Sequence, residues 1–234
     1  VLFWLIMREE GRASPRMESS VDNAYVLRVW GHATALEFFC RLREAKRATK
    51  ESDAWIPKLV KTLVEEQIQD GGWNYSTHRY HASFVTVPVV QALLLAESQG
   101  EAVPDEVFAK ARKALEGSRL ESGAFRYGGV GPSKEPLQGS IARSAACEAT
   151  LLLLGGGSVD EVRKAVAAFH EYWDELEKRR KKTGTHLPPY QIAPYYFYYG
   201  HRYAALAIEA LPEKERTAER AKLVKAILKT RDED

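Results

Sequence analysis

One short frame returns along this chain at intervals of roughly fifty residues, and it constrains the fold more than any other feature. Leu63 stands four residues before Gln67, and three residues separate Gln67 from Gly71-Gly72-Trp73. The same frame recurs as Leu115, Arg119 and Gly123-Ala124-Phe125, and in degraded form as Leu176, Arg180 and Gly184-Thr185-His186. A fourth copy has Ile227 and Arg231, after which Asp232, Glu233 and Asp234 fill the spacer. Lys58, Lys110 and Lys222 keep step nine residues ahead of their Gln or Arg. A repeat of this length is one supersecondary unit, too small to bury its apolar face alone, so neighbouring units must stack.

Two kinds of helix are expected in each unit. The segment ahead of each frame is amphipathic: Ile56, Leu59, Val60 and Leu63 fall on one helical face, as do Val107, Phe108, Ala111 and Leu115. Asp53, Asp105 and Ser158 are placed to cap these helices, and Ser158 with Glu161 forms a capping box. The segments after the frames, "SFVTVPVVQALLLAE", "SIARSAACEATLLLLG" and "YYGHRYAALAIEALP", are apolar nearly all round. Such a helix must be covered on every side, which places it in an inner layer behind the amphipathic ones. "SFVTVP" has the β-branched residues of a strand, but its register with the other inner segments predicts a helix, kinked at Pro88.

Within the first frame the turn chemistry is explicit. Gly71 and Gly72 permit a tight turn, Asp70 can bind its own backbone there, and Trp73 is too large and apolar to be left in water. The frame Leu-x3-Gln-x3-Gly-x-Trp resembles the QW repeat of squalene and oxidosqualene cyclases. The paired-helix organisation is similar to the wider α/α-toroid group, which includes protein prenyltransferase β subunits and complement thioester domains. From about Trp30 to the end, the resemblance implies an all-α fold: a partial or incomplete α/α-toroid of inner and outer helix pairs, with about four repeats. Residues 1–29 would be part of a preceding helix or linker, and residues 30–234 a toroid domain cut short at its C-terminus, the next residues reading Gly-x-aromatic. In such a family the Gln holds a helix end and the Trp packs against a neighbouring repeat. Gln67, Asp70, Gly71, Gly72, Trp73, Arg119, Gly123 and Phe125 are accordingly the structural motif.

Catalytic signatures of these families do not carry over. Hopene-type cyclases use a D-x-D-D acid, whose clustered carboxyls retain a proton at neutral pH; the "RDED" ending imitates it, but Asp232 and Asp234 occupy turn positions of the fourth frame. Prenyltransferases hold zinc with Asp, Cys and His, yet Cys147 has no Asp two residues before it and His201 has no obvious companion, so no metal or other cofactor is expected. The thioester word G-C-G-E-Q is also missing.

A ligand-lining role is the remaining opening. Tyr195, Tyr199 and Tyr203 fall near one helical face with His201 beside them, and aromatic faces stabilise cations by ~0.5–2 kcal/mol each. The same residues would also pack an inner layer, and both readings stay open. Gly31-His32 and Gly200-His201 each open an inner helix, and His81 precedes one, which points to a shared packing or capping role. The run Glu177 to Lys182 has the charge of a phosphate or membrane-surface patch, and it equally suits a solvated helix C-terminus, where cations are favoured. With 34 Lys and Arg against 32 Asp and Glu, a net charge of +2 gives no footprint for nucleic acid. "VLFWLIM" is too short to span a bilayer and lacks a basic start, so no transmembrane segment is expected. The cytoplasm is the favoured compartment, although a chain opening on Val1 is expected to lack its natural start. Cys40 and Cys147 lie in apolar runs as inert thiols.

Two functional classes follow. One is a toroid repeat protein that binds an apolar, isoprenoid-type ligand, or a protein partner through its face or open ends. The alternative is a fragment of an active squalene/hopene-type cyclase or prenyltransferase whose catalytic residues lie outside the chain.

Overall fold

The computed structural model describes residues 28–75, 79–128 and 133–231. Most of the 1–29 segment and the Asp232 to Asp234 ending fall outside the described residues. Among those residues the chain is all-helical, with isolated bridges at Arg119–Phe125 and Leu187–Ile192 and no strand. Nine helices are described: α1 (Arg28–Glu44), α2 (Lys50–Glu65), α3 (Ser83–Ser98), α4 (Asp105–Ser118), α5 (Leu137–Leu153), α6 (Val159–Glu171), α7 (Trp173–Arg180), α8 (Tyr196–Glu209) and α9 (Glu213–Leu228).

They fall into two compact units, Val1–Ala114 and Leu115–Asp234. In the first, α1 and α3 pack against each other and α2 lies over them, chiefly on α1. In the second, α5 and α8 make the inner pair, α6 covers both, and α9 lies on α8. The expected alternation of helical character is the reason. Every residue of α5 from Ser140 to Leu151 is buried, whereas α2 buries one stripe, Ile56, Leu59, Val60 and Leu63. An all-apolar helix is stable only behind others, and an amphipathic one offers a single face to them.

Local signals set most boundaries. Ser158 and Glu161 form the expected capping box at α6. At α2 the cap is Thr49, whose hydroxyl accepts from Ser52 N and whose backbone N donates to Ser52 Oγ in return. Asp53, expected there as a cap, is a first-turn acid paired to Arg43 at 3.0 Å. Asp105 likewise is the first residue of α4. Negative charge in a first turn is favoured by the helix dipole, so both acids still help their helices. "SFVTVPVV" is helical and continues through Pro88 to Ser98.

Candidate functional site

The first frame is a knot of hydrogen bonds at the end of α2. Gln67 Nε2 donates to Gly71 O at 2.8 Å and to Val107 O, the third residue of α4, at 2.9 Å. The carboxamide therefore closes its own turn and ties that turn to the next outer helix. Asp70 Oδ1 accepts from Gly72 N at 3.3 Å, while Oδ2 accepts from the His81 backbone N at 2.6 Å and lies 2.9 Å from His81 Nδ1. Gly71 has φ +98°, and a Cβ there would stand 2.6 Å from Lys110 O, so both conformation and space demand glycine. Trp73 is fully buried, and its indole Nε1 donates to Leu63 O at 2.7 Å, satisfying a carbonyl of the last turn of α2. Thr86, in the first turn of α3, accepts from Trp73 N at 3.0 Å and donates to Trp73 O at 3.2 Å.

The second frame repeats this construction with different atoms. Ser122 Oγ takes the place of Asp70 and accepts from Ala124 N at 3.3 Å. Ser140 in α5 takes the place of Thr86: it accepts from Phe125 N at 2.8 Å and donates to Phe125 O at 3.1 Å. Phe125 is as buried as Trp73. Arg119, at the Gln67 position, donates to Glu148 through Nε at 2.8 Å and Nη2 at 2.6 Å, and its Nη1 lies 3.5 Å from Glu161 Oε1. Glu161 is the third residue of α6, so Arg119 reaches the same place on the next outer helix that Gln67 reaches on α4. Burial works against the Arg119 charge, but Glu148 and Glu161 raise its pKa above the ordinary value. Burial pushes the Glu148 carboxyl up, against the pull of Arg119.

A difference between the two turns opens a cleft. A Cβ on Gly123 would meet nothing within 4 Å, whereas one on Gly71 would strike the backbone of Lys110, the sixth residue of α4. Lys164, the sixth residue of α6, instead lines a cleft of about 330 Å³ between the second turn, α5 and α6. Leu120, Leu137, Ala165 and Ala168 supply apolar wall, and Arg119 with Glu161 supplies the charged side. A guanidinium held between two carboxylates takes more room than a carboxamide against one carbonyl. The second turn stands off its outer helix where the first sits tight.

Arg143 is a functional-looking residue that sequence reading passed over. Buried in α5, it donates to Phe125 O at 3.3 and 3.2 Å, to Glu135 Oε2 at 2.6 Å and to Tyr196 Oη at 3.3 Å. Burial opposes its charge, and Tyr196 and Glu135 more than compensate, so its pKa is raised. An Arg inside an apolar run was the available signal, since a buried cation requires partners.

Later frames drift. Arg180, the predicted counterpart of Gln67, chelates Glu177 at 2.8 and 3.0 Å and sits 5.5 Å from the Phe197 ring. The turn is clasped one residue earlier, by Arg179, which donates to Thr183 O, Gly184 O and Ile192 O at 3.0–3.2 Å. The outer helix restarts at Trp173 just ahead of this frame. Arg231 is exposed.

The tyrosines predicted to share a face occupy different surroundings. Tyr199 and Tyr203 are buried with ring centroids 4.4 Å apart, and burial pushes the Tyr199 pKa well up. Tyr195, just before α8, is exposed, and its hydroxyl lies 3.1 Å from His186 Nε2. His201 has a companion that spacing did not reveal. Trp173 Nε1 donates to His201 Nε2 at 2.8 Å, and His201 Nδ1 donates to Phe197 O at 2.6 Å. This network assigns a neutral ring with the proton on Nδ1. Burial lowers its pKa, against the Phe197 carbonyl. His32 is buried with Nδ1 3.2 Å from Glu66 Oε2, and Arg28 Nε donates to the other Glu66 oxygen at 2.8 Å. Among the described residues no three His, Cys, Asp or Glu side chains are grouped to hold a metal ion, and no helix is long and apolar enough to cross a membrane. Cys40 and Cys147 are buried free thiols, and burial raises the Cys40 pKa to about 11.

No family model matches the chain, and no curated protein matches it. Among solved structures it is similar to the native conformation of the alpha-2-macroglobulin of E. coli, determined by cryo-EM, with a TM-score of 0.53 and 14% sequence identity. The likeness covers 93% of this chain and 12% of that one, so the chain spans about an eighth of the protein it resembles. At that identity the comparison shows the fold alone: an all-helical, repeat-built, toroid-like array.

Proposed function

We propose that this chain is a binding module built of helical repeats, a part of a larger protein, and that the cleft beside its second turn receives an apolar group. The observation that carries this reading is the stand-off of Gly123 from α6, which leaves about 330 Å³ with an apolar wall of Leu120, Leu137, Ala165 and Ala168 and a charged rim of Arg119, Glu121, Glu148, Glu161 and Lys164. That volume lies at the lower end of the ~300–1,000 Å³ typical of small-molecule pockets. An isoprenoid-type chain or an apolar side chain of a protein partner has the right character for such walls. The resemblance of Leu63, Gln67, Gly71 and Trp73 to the repeats of terpenoid cyclases and prenyltransferases favours the isoprenoid. Support for binding over catalysis comes from the occupied chemistry. His201 uses both ring nitrogens on Trp173 and Phe197, Asp70 is taken up by His81 and Gly72, and Glu148 is chelated by Arg119.

Titration with a fluorescent isoprenoid alcohol tests the proposal. Saturable binding is expected, weakened about tenfold or more by Glu121→Trp, an exposed cleft residue whose new indole would fill the opening. Binding weakened by Tyr199→Ala and untouched by Glu121→Trp would move the site to the α8 tyrosines. No saturable binding by chain shown to be folded by circular dichroism would overturn the ligand reading.

A further inference from the structure

The frame leucine is the residue through which each outer helix is closed over. Leu63, Leu115 and Leu176 are 0%, 0% and 1% exposed. Ile227, at the same place in α9, is 42% exposed, and it lies in a stripe with Val224 and Leu228, at 54% and 58%. The elements that cover the earlier positions are visible. Trp73, in the turn after α2, binds the Leu63 carbonyl, and Leu176 Cδ1 lies 3.3 Å from the point where a Cβ on Gly200 of α8 would stand. At Leu176 the cover is the inner helix that comes next, and at Leu63 the next turn bonds the backbone of the same residue.

One broad side of α9 is already taken. Leu223 and Ala226 are buried on the side toward α8. Glu215 and Glu219 bind Arg163 and His170 of the preceding outer helix, at 2.7 and 3.2 Å. At 3.6 residues per turn, Val224 falls on the side of α9 opposite those two glutamates. The bare stripe therefore looks away from α6, in the direction in which the outer series α6, α9 advances. We infer that the Val224–Ile227–Leu228 stripe is the docking face for one further helix pair of the same kind. Its inner helix would be apolar all round and carry a small residue over Ile227, as Gly200 does over Leu176. Its outer helix would run along Val224 and Leu228. This inference rests on the repeat and is independent of the ligand reading.

The test compares two contexts, the chain alone and the longest natural open reading frame that contains it, each with and without the double substitution Ile227→Glu, Leu228→Glu. In the chain alone the thermal midpoint should move by about 1 °C or less, because exposed positions contribute little. In the longer protein it should fall by about 4 °C or more, and the α9 amides should lose about tenfold or more of their protection from hydrogen exchange. Equally small effects in both contexts would overturn the inference, as would an open reading frame with no helix pair after Asp234. Light scattering supplies a separate arm: if the chain alone forms a dimer that the substitutions dissolve, the occupant is a second copy and the helix-pair assignment is wrong.

Discussion

Thr86 holds Trp73 by both of its backbone polar groups, its hydroxyl accepting from the amide at 3.0 Å and donating to the carbonyl at 3.2 Å. One side chain thereby satisfies the buried amide of the turn and shares its carbonyl with Ala82 N, which donates to Trp73 O at 3.0 Å. Ser140 makes the same pair of bonds to Phe125. Thr86→Val keeps the shape and removes the hydroxyl. It should cost ~1–3 kcal/mol by leaving the Trp73 amide unsatisfied, while Thr86→Ser should recover most of the loss. Urea unfolding of the three forms measures this, and a Val variant as stable as the parent would show that another group takes over.

Trp73→Ala should destabilise by ~3–5 kcal/mol, the usual cost of truncating a buried aromatic. Trp73→Phe separates the contributions: it keeps most of the ring and loses the donor to Leu63 O, so a residual ~1–3 kcal/mol is expected. An unchanged midpoint for the Ala form would place Trp73 outside the core.

Gly71→Ala and Gly123→Ala should differ although both residues have positive φ, +98° and +79°. Each carries the left-handed strain of roughly 1–2 kcal/mol. Only Gly71→Ala also drives a Cβ against a backbone carbonyl, Lys110 O, at 2.6 Å. Its loss of stability should be larger by about 1 kcal/mol or more. Equal losses from the two substitutions would argue that the first turn can move off α4.

Acid should weaken the chain partly through His201. Its folded pKa lies below the ordinary 6.5 because burial disfavours the charged ring, and His170 shifts the same way for the same first cause. Below about pH 6.5 the unfolded chain takes up protons that the folded one resists, so stability falls as pH drops through that value. His201→Gln, which retains an acceptor for Trp173, should flatten the dependence between pH 7.5 and 5. A curve of unchanged slope would assign the effect to other groups. Glu66 contributes in a lower window: His32 and Arg28 hold its pKa below 4.5 against burial, so its contribution is lost only as pH falls through the folded value.

The parts of the fold legible in the sequence were those written in periodicity and turn chemistry. Leu63, Gln67 and Gly71-Gly72-Trp73 locate a turn, and the all-apolar segments after each frame override the β-branched character of "SFVTVP" because burial outweighs local propensity. What stayed hidden depends on side chains meeting across helices. Thr86 and Ser140 carry no signal as single hydroxyls in apolar runs. Glu148 becomes the partner of Arg119 only once α5 lies beside the second turn, and Trp173 finds His201 only when α7 and α8 are packed. The Asp53 expectation failed because Thr49 and Ser52 together satisfy two donors where one acid would satisfy a single one. Arg179 displaced Arg180 because the outer helix restarts at Trp173, a break that a fixed spacing cannot register.

Gln67 fastens its turn to α4 through the carbonyl of Val107, and Arg119 fastens its turn through the carboxylates of Glu148 and Glu161. The first is a joint between neutral dipoles, indifferent to ionic strength and to whichever side chain stands at position 107. The second is made of whole charges beside an open, water-reachable cleft. Added salt screens the half-exposed Glu161 contact first, and protonation of the carboxylates loosens the rest. One chain thus contains a joint that holds its setting and one whose tightness the surrounding medium can adjust.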